Sequence, residues 1–267
     1  LKVAKYNGLG NDFVMLDYDA LADYSALAEK LCNDPQFDTD GLIAVKTDPL
    51  EMIYYNRDGS RASMCGNGIR CFAKYCVDHN LVNEKVFPVE TLAGTMIVHL
   101  ESLEPFHCSV NMGRPAYDTE KLGLPKGQVL TNFSLEIAGA PVTMSSVFMG
   151  TIHTVVFVED PIAELSLERG NLICHHPLFS QQTNVNFVHV LNDHELVVRT
   201  FERGVGWTLA CGTGCCASYV VARDLGKIKT GATNLYLERG PLVVSGTQEI
   251  TMAGPAEFEF EKEVETC

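Results

Sequence analysis

Met64-Cys65-Gly66-Asn67-Gly68 returns 146 residues later as Ala210-Cys211-Gly212-Thr213-Gly214. The register extends outward from the two cysteines without a gap. Backward, Asn56-Arg57 falls on Glu202-Arg203, each pair starting nine residues before its cysteine; forward, Gly94 falls on Gly240. At an offset of 140, Gly10-Asn11 falls on Gly150-Thr151, and Met112 with Pro115-Ala116 falls on Met252 with Pro255-Ala256. With 22 glycines in the chain, single glycine matches arise by chance. Ungapped agreement of Cys, Arg and Gly together points instead to a duplicated fold. Two copies, fewer than a solenoid needs, predict two similar lobes facing each other across a pseudo-twofold axis, with the ligand in the cleft.

Around this duplication the local patterns are mostly those of strands. Asn11–Leu16, Leu42–Val45, Glu51–Tyr55, Thr95–Leu100, Val155–Val158, Asn186–Val190, Glu195–Phe201, Leu235–Leu237 and Leu242–Val244 are short, β-branched or aromatic, and bounded by Gly, Asp, Asn or Pro. Helical spacing predicts Asp23–Leu31, Gly68–Val77 and Gly214–Leu225, so one helix follows each C-G-x-G segment. The fold class is α+β, with sheets wrapped around a helix in each lobe.

The 267 residues suffice for one large or two modest cores, and 46% hydrophobic with 20% charged residues argues against disorder. Lys plus Arg total 20 against 34 Asp plus Glu, a net charge of −14, which is the wrong sign for gripping a phosphate backbone. Nucleic acid is therefore not an expected partner. No apolar run is long enough to cross a bilayer and none near Leu1 has signal-peptide length, so the expected location is the cytoplasm and no membrane partner is expected. The ten cysteines read as thiols, since a chain this long and apolar needs no disulfide framework. Cys65, Cys71 and Cys76 cluster, as do Cys211, Cys215 and Cys216, but no C-x-x-C pair occurs and no metal site is expected. Gly8-Leu9-Gly10 lacks the third glycine of a dinucleotide fingerprint, and there is no G-K-[ST] loop.

A cysteine at a helix start sits beside unpaired backbone N–H groups, which favour its thiolate, and flanking glycines let a ligand approach those N–H groups as an anion cradle. Two such sites suggest one reaction. One thiolate removes a proton from carbon while the other thiol delivers a proton to the opposite face, inverting a stereocentre. Proton loss from an amino-acid α-carbon builds charge into the carboxylate, where two helix N-termini stabilise it, and no imine-forming cofactor is required. A single nucleophilic Cys paired with a His is the competing reading, and it leaves the second C-G-x-G copy unexplained.

Several longer segments extend this pattern. Gly8-Leu9-Gly10-Asn11-Asp12-Phe13, Asn56-Arg57-Asp58-Gly59-Ser60 through Cys71, Thr183-Asn184-Val185-Asn186-Phe187, and Glu202-Arg203-Gly204 through Gly214, in that order over nearly the whole chain, resemble diaminopimelate epimerase. The resemblance implies two pseudo-symmetric lobes, each a barrel-like sheet around a central helix. They would span 1–112 and 113–257, with a strand near 258–267 completing the first. It implies a cofactor-independent isomerase, a homodimer whose partner is a small-molecule amino-acid substrate. Cys65 and Cys211 would be acid and base. Backbone N–H groups of Gly66, Asn67, Gly212 and Thr213 would hold the α-carboxylate, and Asn11, Asn56, Thr151, Asn184, Glu202 and Arg203 the rest of the substrate. His153 and Glu202 would tune the two cysteines. Taken singly, Asn11, Asn56 and Asn184 also fit turn residues, Arg203 a surface charge and His153 a structural histidine.

Two positions depart from the family pattern. Its N-P-H reads Thr151-Ile152-His153 here, and where the family usually has Glu then Thr, this chain has Trp207-Thr208. Thr151 and Trp207 are therefore specificity candidates. Losing one polar partner in a buried site costs roughly 1–3 kcal/mol of recognition. Conversion of LL- to meso-diaminopimelate is the leading expectation. Racemisation of another amino acid such as histidine, and amino-acid binding without catalysis, are the alternatives.

Overall fold

The computed structural model describes residues 1–166 and 168–265, which form two compact units, Leu1–Asn111 with Ala253–Cys267, and Met112–Met252. The first unit runs β1 (Lys2–Asn7), β2 (Asp12–Asp17), α1 (Tyr24–Cys32), β3 (Gly41–Thr47), β4 (Leu50–Asn56), β5 (Arg61–Ala62), α2 (Gly66–Asp78), β6 (Val86–Val89), β7 (Met96–Leu103) and β8 (Phe106–Asn111). The second runs β9 (Phe133–Ile137), β10 (Ala140–Phe148), β11 (Ile152–Phe157), α3 (Arg169–Cys174), β12 (Asn184–Asn192), β13 (Glu195–Glu202), β14 (Gly206–Thr208), α4 (Gly212–Asp224), β15 (Thr233–Tyr236) and β16 (Pro241–Gly246); β17 (Ile250–Pro255) starts in the second unit and ends in the first, where β18 (Glu257–Glu263) pairs antiparallel with β1.

The two units share one order of elements. In the first, β2 and β3 are parallel, which requires a crossover, and α1 supplies it; in the second, β11 and β12 are parallel and α3 makes the crossover. Both parallel pairs continue into antiparallel partners, β4 and β13. Strand β5 pairs with β4 and β14 with β13, each leading into a central helix. The remaining strands close around that helix: β6 joins β4 through Met52 N–H donating to Glu90 O at 2.8 Å, and β15 runs parallel to β13.

The central helices are buried on nearly every side, ten of thirteen residues in each. Helix α2 touches β1, β2, β3, β8 and β18, while α4 touches β10, β11, β12, β13, β15 and β16. The outer faces are covered as well. Helix α1 packs Tyr24, Ala28, Leu31 and Cys32 against Val14, Leu16, Leu42 and Ala44. On the second unit α3 packs Ile173 and Cys174 against Val185 and Phe187. Strands covered on both faces read as continuous apolar runs, which is why Phe-Val-Met-Leu of β2 and Val-Asn-Phe-Val of β12 are buried without alternation.

Both central helices begin two residues earlier than the spacing predicts. Cys65 (φ −134°, ψ 121°) and Cys211 (φ −125°, ψ 105°) are extended N-caps, so the first glycine of each C-G-x-G is already helical. Helix α1 has the expected start, with the Asp23 carboxylate accepting from Ala26 N–H at 3.1 Å. Among the described residues no helix is long and apolar enough to cross a membrane.

Candidate active site

In the first unit the site is built on the start of α2. Cys65 is half-buried and its Sγ accepts from Gly68 N–H at 3.4 Å, while Ile69 N–H donates to Cys65 O at 2.9 Å. The N–H groups of Gly66 and Asn67 occupy the first two helical positions. Asn11 closes a tight turn whose Gly8 N–H donates to Asn11 O at 2.8 Å. The Asn11 side chain lies against α2, accepting from Asn67 Nδ2 and donating to Asp40 at 3.1 Å. Asn56 serves the turn after β4, with Nδ2 donating to Ser60 Oγ at 2.9 Å.

In the second unit Cys211 occupies the matching N-cap of α4, and Gly212 and Thr213 supply the first two helical N–H groups. Cys211 Sγ is 3.6 Å from Thr213 Oγ1. Burial pushes its thiol well above the usual cysteine range, and the carboxylate of Glu202 pushes it further; the Thr213 hydroxyl and Gly214 N–H pull the other way without prevailing. This corrects the expectation of a lowered pKa at both helix starts. For Cys211, desolvation outweighs the helix dipole, and the resting group is a thiol, suited to donate a proton.

A prediction follows for Glu202, whose Oε1 accepts from Thr208 Oγ1 at 2.8 Å. In Glu202→Gln that hydrogen bond survives but the like charge is gone, so Cys211 should lose its proton more readily. At pH 8, peptide-mapped iodoacetamide labelling of Cys211 should speed up about threefold to tenfold. An unchanged or slower rate would remove Glu202 from this role.

The residues around Cys211 form one hydrogen-bonded layer. Asn186 Oδ1 accepts from Thr200 Oγ1 at 3.0 Å, and its Nδ2 donates to Thr154 O and to His153 Nδ1, both at 3.2 Å. With the amide oriented by Thr200 and Thr154, Nδ1 of His153 must be the acceptor, so Nε2 carries the proton. His153 is fully buried, and burial together with the Arg203 charge lowers its pKa to about 3. It is a neutral imidazole at physiological pH, so any tuning of a cysteine by His153 works through a hydrogen bond rather than a positive charge. Nε2 is buried without a hydrogen-bond partner among the described residues.

Arg203 is held from three directions. Its backbone N–H donates to Asn184 Oδ1 at 3.0 Å, Nη1 to Gln181 O at 3.0 Å, and Nη2 to Thr151 Oγ1 at 2.9 Å. Thr151 thus joins Arg203 and Asn184 in one cluster. Trp207 is elsewhere. It pairs in register with Phe201 and packs on Phe201 and Phe187, ring centroids 5.5 and 5.7 Å apart. That is the face of β13 and β14 opposite Thr200 and Thr208, so Trp207 belongs to the outer apolar layer with α3. Its aromatic neighbours explain the residue without recourse to substrate. Trp207→Ala should cost about 2–3 kcal/mol of stability, seen in denaturant melts, with kcat/KM within about threefold of the parent.

Asn186 and Thr208 lie within the segments that carry the family resemblance yet receive no role from it, and Gln181 and Asp40 lie outside those segments. Asn186 alone was accessible to pattern, since it lies two residues after Asn184 on a strand and shares its face.

The sequence model of the diaminopimelate epimerase family matches the chain twice, over residues 3–117 and 145–259. The chain belongs to the diaminopimelate epimerase family. The paired match falls on the two halves related by the C-G-x-G register, and so marks the duplication independently. Relatives named diaminopimelate epimerase agree over nearly the full length. That of Halothermothrix orenii is 39% identical, covering 96% of this chain and 95% of its own, and that of Synechocystis sp. is 37% identical, covering 99% of each. Among solved structures, the phenazine biosynthesis protein of the PhzF family from Bacillus anthracis superposes with a TM-score of 0.74 at 15% identity, covering 100% of this chain and 99% of that one. A probable proline racemase from Agrobacterium radiobacter K84 gives 0.69 at 13% identity, over 99% and 92%. At such identities these two establish the diaminopimelate epimerase-like fold alone.

Proposed function

We propose that the protein is an isomerase that inverts one α-carbon of LL-diaminopimelate to give the meso isomer. Cys65 and Cys211 would act as the two bases, one taking the α-proton while the other returns a proton to the opposite face. The observation that carries this reading is that each of two cysteines N-caps a buried helix, so a sulfur and two first-turn N–H groups occur together twice. In the direction that starts from the resting protein, Cys211 is the proton donor and Cys65 the base. The α-carboxylate would be received by the N–H groups of Gly66, Asn67, Gly212 and Thr213, which strengthen their hold as charge develops during proton removal. Such chemistry needs neither pyridoxal phosphate nor a metal. Membership of the family also supports action as a cytoplasmic homodimer.

The substrate assignment rests on Arg203. Its guanidinium is already fixed by Thr151 and Gln181, which suits it to a second carboxylate, and Asn184 at the start of β12 and Glu202 at the end of β13 lie beside it. Thr151 is shorter than the family's amide, yet here its hydroxyl is spent on holding Arg203 rather than lost to the site. The test is a reduced-enzyme assay of LL-diaminopimelate, L-histidine and a panel of other L-amino acids, read by chiral chromatography. Inversion of diaminopimelate, with the others at least about 100-fold slower, is the expected result. Inversion of histidine with diaminopimelate inert would reassign the substrate, and tight binding with no inversion of any amino acid would leave a binding protein.

A further inference from the structure

Arg70 has no part in the chemistry above, yet its side chain is the largest that is completely buried, on the first turns of α2. Nη1 donates to Gly66 O at 3.1 Å and to Asn67 Oδ1 at 3.0 Å, Nε to Pro255 O at 3.1 Å, and Nη2 to Gly8 O at 3.3 Å. The last bond ties the Gly8–Asn11 turn to the helix. The approach is close enough that a Cβ on Gly8 would lie 3.1 Å from both Asn67 O and Cys71 Sγ.

A guanidinium has five N–H donors and no acceptor, so whatever it touches must accept. That decides the orientation of Asn67: its amide oxygen faces Arg70 and its nitrogen faces away. The nitrogen donates to Asn11, so Asn11 must present its oxygen to Asn67 and turn its own nitrogen outward. There Asn11 Nδ2 donates to the carboxylate of Asp40, which also accepts from Asp12 N–H at 2.9 Å. The chain runs in one direction because a donor-only group stands at one end and a carboxylate at the other. Reversing either amide would set oxygen against oxygen or N–H against N–H. The second N–H of Asn11 Nδ2 is then the group offered to a ligand. In the second half the corresponding positions are Thr151, Thr213 and Cys216, so this device belongs to the first half only.

We propose that Arg70 is a positioning residue for the substrate site, its buried guanidinium fixing the direction of the Asn67 and Asn11 amides so that Asn11 offers an N–H and selects a substrate group that accepts. The functional half of this rests on the reading of Asn11 as a substrate contact; the network itself does not.

The test is a double-mutant cycle with Arg70→Lys and Asn11→Ala. Lysine keeps the charge and the donor-only character but cannot span four acceptors. For diaminopimelate inversion, Arg70→Lys should raise KM about tenfold with kcat lowered less than about threefold. Added to Asn11→Ala it should raise KM no more than about twofold further. Asn67→Ser, which removes the intervening amide without touching the guanidinium, should show the same non-additivity if the lysine variant fails to fold. A KM for Arg70→Lys equal to the parent's, or an effect that multiplies undiminished with Asn11→Ala, would overturn the proposal. The same cycle read by denaturant midpoint needs no substrate, and there too the paired loss should be smaller than the sum of the single ones. No inversion by the unsubstituted protein would refute the epimerase reading alone, whereas an additive stability cycle would refute the network whatever the substrate.

Discussion

Cys65→Ala is expected to lower steady-state inversion by roughly 10³-fold or more, because it deletes one of two groups that must each handle a proton in every turnover. The fold should survive. The sulfur contributes one long 3.4 Å cap interaction with Gly68 N–H, and losing an N-cap contact costs under about 1 kcal/mol in this geometry. Cys65→Ser separates the two roles, since a serine oxygen can cap the helix as well as sulfur or better but is a far weaker base. Serine should therefore match or exceed the parent in a denaturant melt while remaining as inactive as alanine. Inversion within about tenfold of the parent in either variant would remove Cys65 from the chemistry. Loss of the folded state in both would assign it to structure instead.

Gly214→Ala should be nearly as damaging, by another route. A Cβ at this position would lie 2.4 Å from Asn186 Oδ1 and 3.1 Å from both Cys211 Sγ and Thr200 Oγ1. Asn186 cannot easily yield, because its amide is bound at once by Thr200, Thr154 and His153. Helix α4 must then shift, or the layer beneath Cys211 must break. The expected cost is about 2–4 kcal/mol of stability, with kcat/KM reduced about 100-fold as the sulfur and first-turn N–H groups move off station. Gly226→Ala, at a helix end where a Cβ meets nothing within 4 Å, is the control: its cost comes only from the positive φ of 66° and should leave turnover intact. Equal effects of the two substitutions on turnover would contradict the argument from close approach.

The duplication, the α+β class and the three longer helices were legible because each rests on local pattern: a motif repeated in register, apolar spacing, and a capping Asp. Strand β18, Glu-Phe-Glu-Phe-Glu-Lys-Glu, was expected only through the family resemblance, as a strand near 258–267; its own strongly acidic pattern reads as solvent-exposed chain until β1 is there to pair with it. The helix starts at Gly66 and Gly212 were misplaced by two residues, because glycine is a poor helix former and only tertiary contact makes it the first helical residue. At the candidate site, the placement of Cys65 and Cys211 at the starts of their helices was legible from the motif. The protonation of Cys211 was not: the helix start argues for thiolate, and the burial that reverses this comes from strands far along the chain. The packing of Trp207 was not legible for a similar reason. Three residues of β14 are too few to reveal which face a side chain takes, and Phe187 and Phe201, which claim the indole, lie 20 and 6 positions away.

The most direct test of the two-cysteine account is the position of deuterium in the early product. LL-diaminopimelate is incubated with reduced protein in deuterated water, and the meso product and recovered substrate are separated and weighed by mass spectrometry at low conversion. One cysteine removes the proton and a different, solvent-equilibrated thiol supplies its replacement, so the product should carry one deuterium at the inverted carbon while recovered substrate stays essentially unlabelled. Deuterium entering recovered substrate as fast as it enters product would show a single base working on both faces, and would contradict the paired roles of Cys65 and Cys211.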